Sequence, residues 1–139
     1  MEILKAEPSQ ASELQKLDVL SRNSPWSLKQ WQLELVQVNQ LNLILVENAR
    51  IRSGIFGRIY TDEVEVFMIL THPDFRKKGY AKYLLSQCLT QAKVSEREVF
   101  LEVSQHNHAA LSLYRSVGLR VIGIRKKYYS DGSDAMLMK

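Results

Sequence analysis

The chain has 139 residues, of which 45% are hydrophobic and 24% charged, and its formal net charge at pH 7 is +4. We expect one domain over residues 1–139, with a mild positive charge that suits an anionic small ligand. A single cysteine excludes an intrachain disulfide and a cysteine-based metal cluster. No apolar run approaches the roughly 18 residues of a membrane helix, and Glu2 and Glu7 stand where a signal peptide would be apolar. These features predict a cytoplasmic protein with no membrane partner.

The first third of the chain predicts a short strand and two helices. The strand covers residues 2–7, and Ser9 is the candidate N-cap of the first helix. Residues 23–26 end that helix, and Ser27 begins the second, with Gln30 at the spacing of a capping box. Apolar residues at helical spacing predict the buried faces: Leu14, Leu17 and Leu20 in the first helix, and Leu28, Trp31, Leu35 and Val38 in the second.

The rest of the chain predicts a mixed sheet. Runs of apolar and β-branched residues indicate strands at 41–47, 51–60, 64–71, 99–104, 119–129 and 134–138. Short turns make the first three of these an antiparallel meander. The strands at 64–71 and 99–104 are joined by a helix, which is the connection that a parallel pair requires. The predicted fold class is therefore α/β, with a single mixed twisted sheet and helices on both faces.

A basic turn lies between the strand at 64–71 and the helix that follows it. The turn consists of Arg76, Lys77, Lys78, Gly79, Tyr80 and Ala81, and the helix carries one apolar stripe made by Leu84, Leu85, Cys88, Leu89 and Ala92. The first amides of a helix lack helical partners, its dipole is positive there, and Gly79 lets a phosphate approach the backbone. The turn therefore predicts an anion site, although a solvated helix cap would have the same sequence.

The next strand and helix make this pattern more specific. The strand ends in Leu101-Glu102-Val103, and Asn107 precedes a helix whose apolar side is made by Ala110, Leu113, Tyr114 and Val117, before Gly118. Arg-x-x-Gly-x-Ala, Leu-Glu-Val, Asn-x-x-Ala and Leu-Tyr-x-x-x-Gly at these distances resemble the motifs of the GNAT acetyltransferases, which acetylate amines with acetyl-CoA. The resemblance covers most of the chain. It implies the GNAT (acyl-CoA N-acyltransferase) fold, acetyl-CoA as co-substrate and no metal.

Three further segments resemble the RimI branch of this family, which acetylates the N-terminal alanine of a small-subunit ribosomal protein. They are residues 25–27, residues 62–63 and the stretch from 128 to 135. The chain departs from the family at Ser104, where a basic residue usually follows Leu-Glu-Val, and at Leu119, where an aromatic residue usually follows the glycine. We expect the change at Ser104 to affect the acceptor side.

The resemblance implies a role for each member of the site. Glu102 matches the general base, acting through water, and Tyr114 matches the acid that protonates the CoA sulfur. Leu70, with Ile69 and Thr71 beside it, matches the strand segment whose amide polarises the thioester. Asn107 matches the residue that contacts the pantetheine arm. The residues that match the pyrophosphate cradle are Arg76, Lys77, Lys78, Gly79, Tyr80, Ala81 and Lys82.

Several of these residues also have a purely structural interpretation. Glu102 alternates with apolar neighbours and could lie on a solvated face, but a carboxylate on a central parallel strand should be paired or functional. Tyr114 could serve packing alone, although a buried hydroxyl needs a partner. Asn107 is also an N-cap candidate, which is compatible with ligand contact. Cys88 lies on a core stripe, which favours a packed thiol over a nucleophile.

Two other groups of residues are expected to have no separate function. His106 and His108 lack acidic or thiol companions, which favours helix-start residues over a metal site. Lys126 and Lys127 beside two tyrosines could form a nucleic-acid patch. We expect them instead to belong to the strand that lines the acceptor groove, and we expect no direct DNA binding.

The sequence, with its resemblance to this family, thus predicts an acetyl-CoA-dependent N-acetyltransferase. We expect it to act on the N-terminus of a ribosomal protein and to be a monomer or weak dimer. Two alternatives stay open. Within the same family, the chain could act on a lysine side chain or a small amine. It could also be a weakly catalytic acyl-CoA-binding partner of a ribosome or tRNA-modification complex, although the presence of both Glu102 and Tyr114 argues against this.

Overall fold

The computed structural model describes residues 1–139 as one mixed sheet with four α-helices. The strands are β1 (Glu2–Lys5), β2 (Leu43–Glu47), β3 (Arg50–Ile59), β4 (Glu63–Thr71), β5 (Glu98–Ser104), β6 (Val121–Arg125) and β7 (Ala135–Met138). The α-helices are α1 (Ala11–Ser21), α2 (Leu28–Glu34), α3 (Tyr80–Val94) and α4 (His108–Ser116), and short 3-10 helices cover Pro8–Gln10 and Pro73–Phe75. The strand order is β1-β2-β3-β4-β5-β7-β6, in which β4 and β5 form the parallel pair. The predicted fold class is confirmed.

Two hydrophobic cores, one on each face of the sheet, hold the helices. The core under α3 and α4 contains Leu85, Leu111, Val64 and Val66. The core under α1 and α2 contains Leu14, Trp31, Met68 and Leu70. Adjacent strand residues such as Ile55 and Phe56 divide between the two cores, as alternating side chains must when both faces are covered. We call these two sides the α3/α4 face and the α1/α2 face.

A bulge in β4 exchanges the faces to which its residues point. Gly57 pairs with Val66 while its neighbour Phe56 pairs with Met68, so Phe67 is an extra residue in β4. Val66 packs in the core under α3 and α4, and Met68, two positions later, packs in the opposite core. A regular strand would place both on one face. Beyond the bulge, therefore, the alternation of side chains between the two faces of the sheet is reversed.

Beyond the bulge, β4 and β5 separate. Their parallel pairing ends at Val66–Leu101, whereas β5 stays paired with β7 as far as Ser104–Ala135. The second half of β4 follows β3 instead, as far as Ser53–Thr71. A gap therefore opens in the middle of the sheet, and the backbone groups that face it lose their ladder partners.

The local predictions for α1 and α2 are partly wrong. Ser9 is not an N-cap, because it lies inside a 3-10 helix whose N-cap is Glu7, and the amide of Glu7 donates to Oε1 of Gln10 at 2.8 Å. The capping box of Ser27 and Gln30 is confirmed. Three residues predicted to be buried are exposed: Leu20, Leu28 and Val38. In α1 the buried stripe runs through Asp18 instead of Leu20, and Val38 lies beyond the end of α2.

The predicted strand at 119–129 is shorter than expected. β6 ends at Arg125, and Lys127 takes a left-handed conformation with φ +51°, which an extended strand excludes. Lys126 and Lys127 therefore lie in a turn and do not form part of a strand, which corrects their predicted place. Leu119 is buried just before β6.

Candidate active site

The gap between β4 and β5 forms a cleft of about 280 Å³. β4 contributes Phe67 and Ile69 to its lining, and β5 contributes Glu102 and Ser104. Tyr114 of α4 borders the cleft from one face of the sheet, and Arg22, at the end of α1, borders it from the other. A cleft that is bordered from both faces can receive two substrates from opposite sides.

The open edge of β4 presents backbone amides to the cleft. The amide of His72 donates to the carbonyl oxygen of Arg52 at 2.8 Å, in continuation of the β3–β4 register. Because an antiparallel pair bonds at every second residue, this bond directs the amide of Leu70 to β3 and those of Ile69 and Thr71 to the gap. The predicted segment therefore lies at the cleft, but Leu70, the predicted donor, is wrong for that role because its amide faces β3.

Glu102 presents its carboxylate on the α1/α2 face. Its neighbours Leu101 and Val103 are buried under α3 and α4, so Glu102 must point the other way. Its side chain is 21% exposed, and Oε1 lies 3.3 Å from Nη2 of Arg125. The expectation that this carboxylate is paired or functional is met by this ion pair, which sets the direction of the carboxylate.

Tyr114 reaches the cleft from the α3/α4 face. α4 is anchored by the buried Leu111, and Tyr114 packs against the same core while it lines the cleft. Burial, followed by the neighbouring phenol of Tyr129, raises the pKa of Tyr114 to about 12. The phenol therefore keeps its proton at neutral pH. No side chain hydrogen-bonds to its hydroxyl, which leaves the proton available to a ligand.

Asn107 joins the same cleft at the start of α4. Its Oδ1 accepts a hydrogen bond from the amide of Ala110 at 3.2 Å, which confirms the predicted N-cap. Asn107 also lines the cleft. Because capping uses only the side-chain oxygen, the amide nitrogen stays available as a donor.

The basic turn lies beside this cleft, at the start of α3. Gly79 is the N-cap of this 15-residue helix and is left-handed, with φ +83°. A Cβ at Gly79 would meet no atom within 4 Å, so the space above its backbone is open. The free amides of the first helical turn, which includes Ala81 and Lys82, point toward this end of the helix. The turn thus has the backbone geometry of an anion site.

Side chains of the turn are held from three directions. Arg76 donates to the carbonyl oxygen of Ser21 at 3.1 Å, and the ammonium of Lys78 lies 4.9 Å from the ring centroid of Phe75. The hydroxyl of Tyr80 donates to the carboxylate of Glu47 at 3.1 Å. The phenol of Tyr80 is therefore hydrogen-bonded to Glu47 of β2, and only the backbone amide of Tyr80 is available to a phosphate.

The structure adds residues that the sequence did not select. Arg22 and Phe67 line the cleft, and Arg125 pairs with Glu102. Tyr129, expected only as part of a groove, lines the cleft as well, and burial raises its pKa, with further contributions from Glu102 and Tyr128. The spacing of Asp18 and Arg22 is that of a helical ion pair, but no sequence pattern places this pair beside strands that come much later in the chain.

Other candidate sites have less support. Cys88 is buried, and burial raises the pKa of its thiol to about 11, which fits a packed residue. The structure contains no group of three or more His, Cys, Asp or Glu side chains placed to hold a metal ion. A depression of about 410 Å³ beside Gly118 includes none of the predicted site residues. None of the helices is long and apolar enough to cross a membrane.

Comparisons with known proteins agree with this geometry. Residues 9–119 match the acetyltransferase (GNAT) family. The ribosomal protein bS18-alanine N-acetyltransferase of Escherichia coli strain K12 is 31% identical over 118 residues, which are 82% of this chain and 79% of that protein. The enzyme of the same name from Haemophilus ducreyi is 38% identical over 112 residues, 78% of this chain and 77% of that one. A crystal structure of the Escherichia coli ribosomal-protein-S18-alanine N-acetyltransferase superposes with a TM-score of 0.90 at 27% identity, covering 99% of this chain and 90% of that chain.

The family match spans most of the chain and includes the basic turn and the cleft segments from Arg22 to Tyr114, whereas Tyr129 lies beyond it. The overall fold is shared with a solved relative along nearly the whole length of this chain. This chain therefore belongs to the acetyltransferase (GNAT) family, the acetyl-CoA-dependent N-acetyltransferases.

Proposed function

We propose that this protein transfers the acetyl group of acetyl-CoA directly to the N-terminal amine of a protein, and that its acceptor is the N-terminal alanine of ribosomal protein bS18. One observation carries the proposal: Glu102 and Tyr114 border a single cleft from opposite faces of the sheet. The names of two relatives supply the acceptor. With this acceptor the enzyme would act in the cytoplasm, as a monomer or weak dimer.

Acetyl-CoA, as substrate, fits the turn and the open edge of β4. Its pyrophosphate suits the first amides of α3 and the open space above Gly79, next to the side chains of residues 76–78. Asn107 offers an amide nitrogen to the pantetheine arm. The amides of Ile69 and Thr71 can donate to the thioester oxygen, where negative charge develops during acyl transfer.

Two side chains move the protons. The thioester brings an activated acetyl group, but the attacking amine must lose a proton and the departing sulfur must gain one. Glu102, on the α1/α2 face, accepts the proton of the amine through water. Tyr114, on the α3/α4 face, gives its proton to the sulfur. With this division, the acceptor would enter from the α1/α2 face and acetyl-CoA from the α3/α4 face.

The acceptor side of the cleft suits an apolar first residue. The ring of Phe67 lies between the ring of Trp26, with centroids 5.9 Å apart, and the guanidinium of Arg58, 5.1 Å from the Phe67 ring centroid. This arrangement fixes an apolar wall at the bulge of β4. Such a wall favours an apolar side chain over a charged one, which is compatible with alanine as the first residue.

Three acceptors distinguish this function from its alternatives. They are a peptide that begins with alanine, the same peptide N-acetylated but containing an internal lysine, and a simple primary amine. Release of free CoA and the mass of the product are followed for each. We expect turnover on the alanine amine. Faster turnover on the lysine or the simple amine would favour another member of the family, and acetyl-CoA binding without any turnover would favour a weakly catalytic binding partner.

A further inference from the structure

We propose that Arg22 binds the acceptor, with its guanidinium, held in place by Asp18, donating a hydrogen bond to a backbone carbonyl oxygen of the peptide being acetylated. The inference rests on the proposed peptide acceptor. It explains how the cleft would distinguish a peptide from an amine that has no amide group.

Asp18 is a carboxylate with no exposed surface, and four donors satisfy it. Nε and Nη2 of Arg22 donate to it at 2.6 and 2.9 Å. The amide of Trp26 donates at 2.9 Å, and the indole nitrogen of Trp31 donates at 3.0 Å. These bonds, together with desolvation that opposes them, leave the pKa of Asp18 below its usual value. Asp18 therefore ties the end of α1 to the loop that leads into α2.

Arg22 is the member of this network that reaches the cleft. Its side chain is 31% exposed, and it lines the cleft together with Phe67, Glu102 and Tyr129. Asp18 uses Nε and Nη2, so Nη1 has no partner in the chain. An arginine fixed through one edge of its guanidinium can offer the other edge to a ligand at little entropic cost.

The position of Arg22 is tied to the reacting strand. The hydroxyl of the preceding residue, Ser21, lies 2.7 Å from the carbonyl oxygen of Leu17 and 3.2 Å from that of Thr71, so it bridges α1 and the end of β4. Thr71 is one of the two β4 residues whose amides face the gap. Arg22 is thus held on the α1/α2 face, the side of Glu102, at a fixed place relative to the transferred acetyl group.

The chemistry favours a neutral acceptor group over an anionic one. The charge of Arg22 is already balanced by the ionised Asp18, and that of Arg125 by Glu102. The cleft therefore carries no unbalanced cation that would select an acidic side chain. A peptide entering it must still satisfy its backbone carbonyl groups away from water, and Nη1 of Arg22 is a donor positioned for one of them.

The test compares Arg22→Gln with the wild type on an alanine-start peptide and on a simple primary amine. Because hydrogen bonds to charged groups are the stronger ones, we expect the KM for the peptide to rise about 10- to 100-fold. Turnover of the amine and the KM for acetyl-CoA should change little. Arg115→Gln, which removes an exposed arginine near the end of α4, away from the cleft, is the matched control.

Asp18→Asn tests the positioning part of the proposal. It keeps the size of the side chain and should raise the KM for the peptide in the same way. The double variant with Arg22→Gln should be no worse than the single ones, because both remove one interaction. If Asp18→Asn does not fold, Arg22→Gln alone still decides the question, since Asp18 keeps the donors of Trp26 and Trp31 in that variant.

Two results would overturn this inference and leave the proposed function standing. Either Arg22→Gln acetylates the peptide with the same turnover rate and KM as the wild type, or it loses equal activity on the peptide and on the amine. A wild-type protein that acetylates the simple amine and not the peptide would overturn the proposed function, and this inference with it.

Discussion

Glu102 and Tyr114 occupy opposite sides of the cleft for two independent physical reasons. Strand alternation sends Glu102 to the α1/α2 face, because its neighbours Leu101 and Val103 are buried on the other. Helix packing holds Tyr114 on the α3/α4 face, one turn after the buried Leu111. A base and an acid that never meet each other can keep different protonation states, which is what acyl transfer to an amine requires.

At the scale of single residues, Tyr114→Phe tests the role of Tyr114 as general acid. The ring that packs against the core is kept and only the hydroxyl is lost. We expect acetyl-CoA affinity to change little and the turnover rate to fall by about 10²- to 10⁴-fold, with kcat and kcat/KM falling together. Steady-state kinetics at saturating acetyl-CoA measure the loss. The defect should shrink with a thioester whose leaving thiol is more acidic. Near-normal turnover in a variant that melts several degrees lower would make Tyr114 a core residue only.

At the scale of elements, the end of β4 and the start of α3 form one unit. The bulge at Phe67 turns β4 over, and the parting from β5 frees the amides of Ile69 and Thr71. The 3-10 helix Pro73–Phe75 then carries the chain to the N-terminus of α3. Donors for the thioester and for the phosphates are therefore consecutive features of one strand-to-helix connection.

Gly57 in β3, opposite the bulge, and Gly79 at the start of α3 have different reasons to be glycine. A Cβ at Gly57 would lie 1.9 Å from the carbonyl oxygen of Glu65, so the close approach of β3 and β4 at the bulge requires glycine there. A Cβ at Gly79 would meet nothing within 4 Å, and only its φ of +83° opposes a side chain. Gly57 therefore serves the fold, whereas the space at Gly79 is free for a ligand.

Gly79→Val should separate binding from folding. A valine at this φ costs about 1–2 kcal/mol of stability and projects into the space proposed for pyrophosphate. We expect a folded protein whose affinity for acetyl-CoA, measured by calorimetry, is clearly reduced. Gly57→Ala is the contrasting variant: its stability should fall more, because the added methyl group meets backbone. A folded Gly79→Val protein that binds acetyl-CoA normally would show that the basic turn does not bind the pyrophosphate.

At the scale of the whole molecule, the sequence predicts what depends on local periodicity and on connection rules. The strand order around the parallel pair, the stripe of α3 and the capping box of Ser27 and Gln30 belong to this class. Arg22 does not, because its place at the cleft depends on how α1 packs against β4. The end of β6 was missed because the left-handed turn at Lys127 interrupts an otherwise strand-like run. The direction of the Leu70 amide was missed because it depends on the register of two paired strands, which side-chain patterns do not encode.

The free energy of unfolding should depend on pH in a way that reflects the burial of Tyr114. Burial raises its pKa from the ordinary value of 10.0 to about 12, so the folded protein holds this proton more tightly than the unfolded chain. Its contribution to stability is therefore complete below the unfolded pKa and is lost as the pH rises through the folded one. At a pH near 11, midway between the two, the loss should be roughly 1.4 kcal/mol.

The loss of stability due to the Tyr114 phenol can be measured by denaturant unfolding of the wild type and of Tyr114→Phe at about pH 8 and about pH 11. The wild type should lose more stability than the variant between the two conditions, by about the amount given above. Cys88, whose pKa burial also raises, to about 11, is present in both proteins, and its own alkaline loss cancels in the comparison. Tyr83→Phe, which removes an exposed phenol, should behave like the wild type. An equal alkaline loss in the wild type and Tyr114→Phe would mean that the phenol of Tyr114 is solvated, and it would then lack the dry environment that keeps its proton in place for the leaving sulfur.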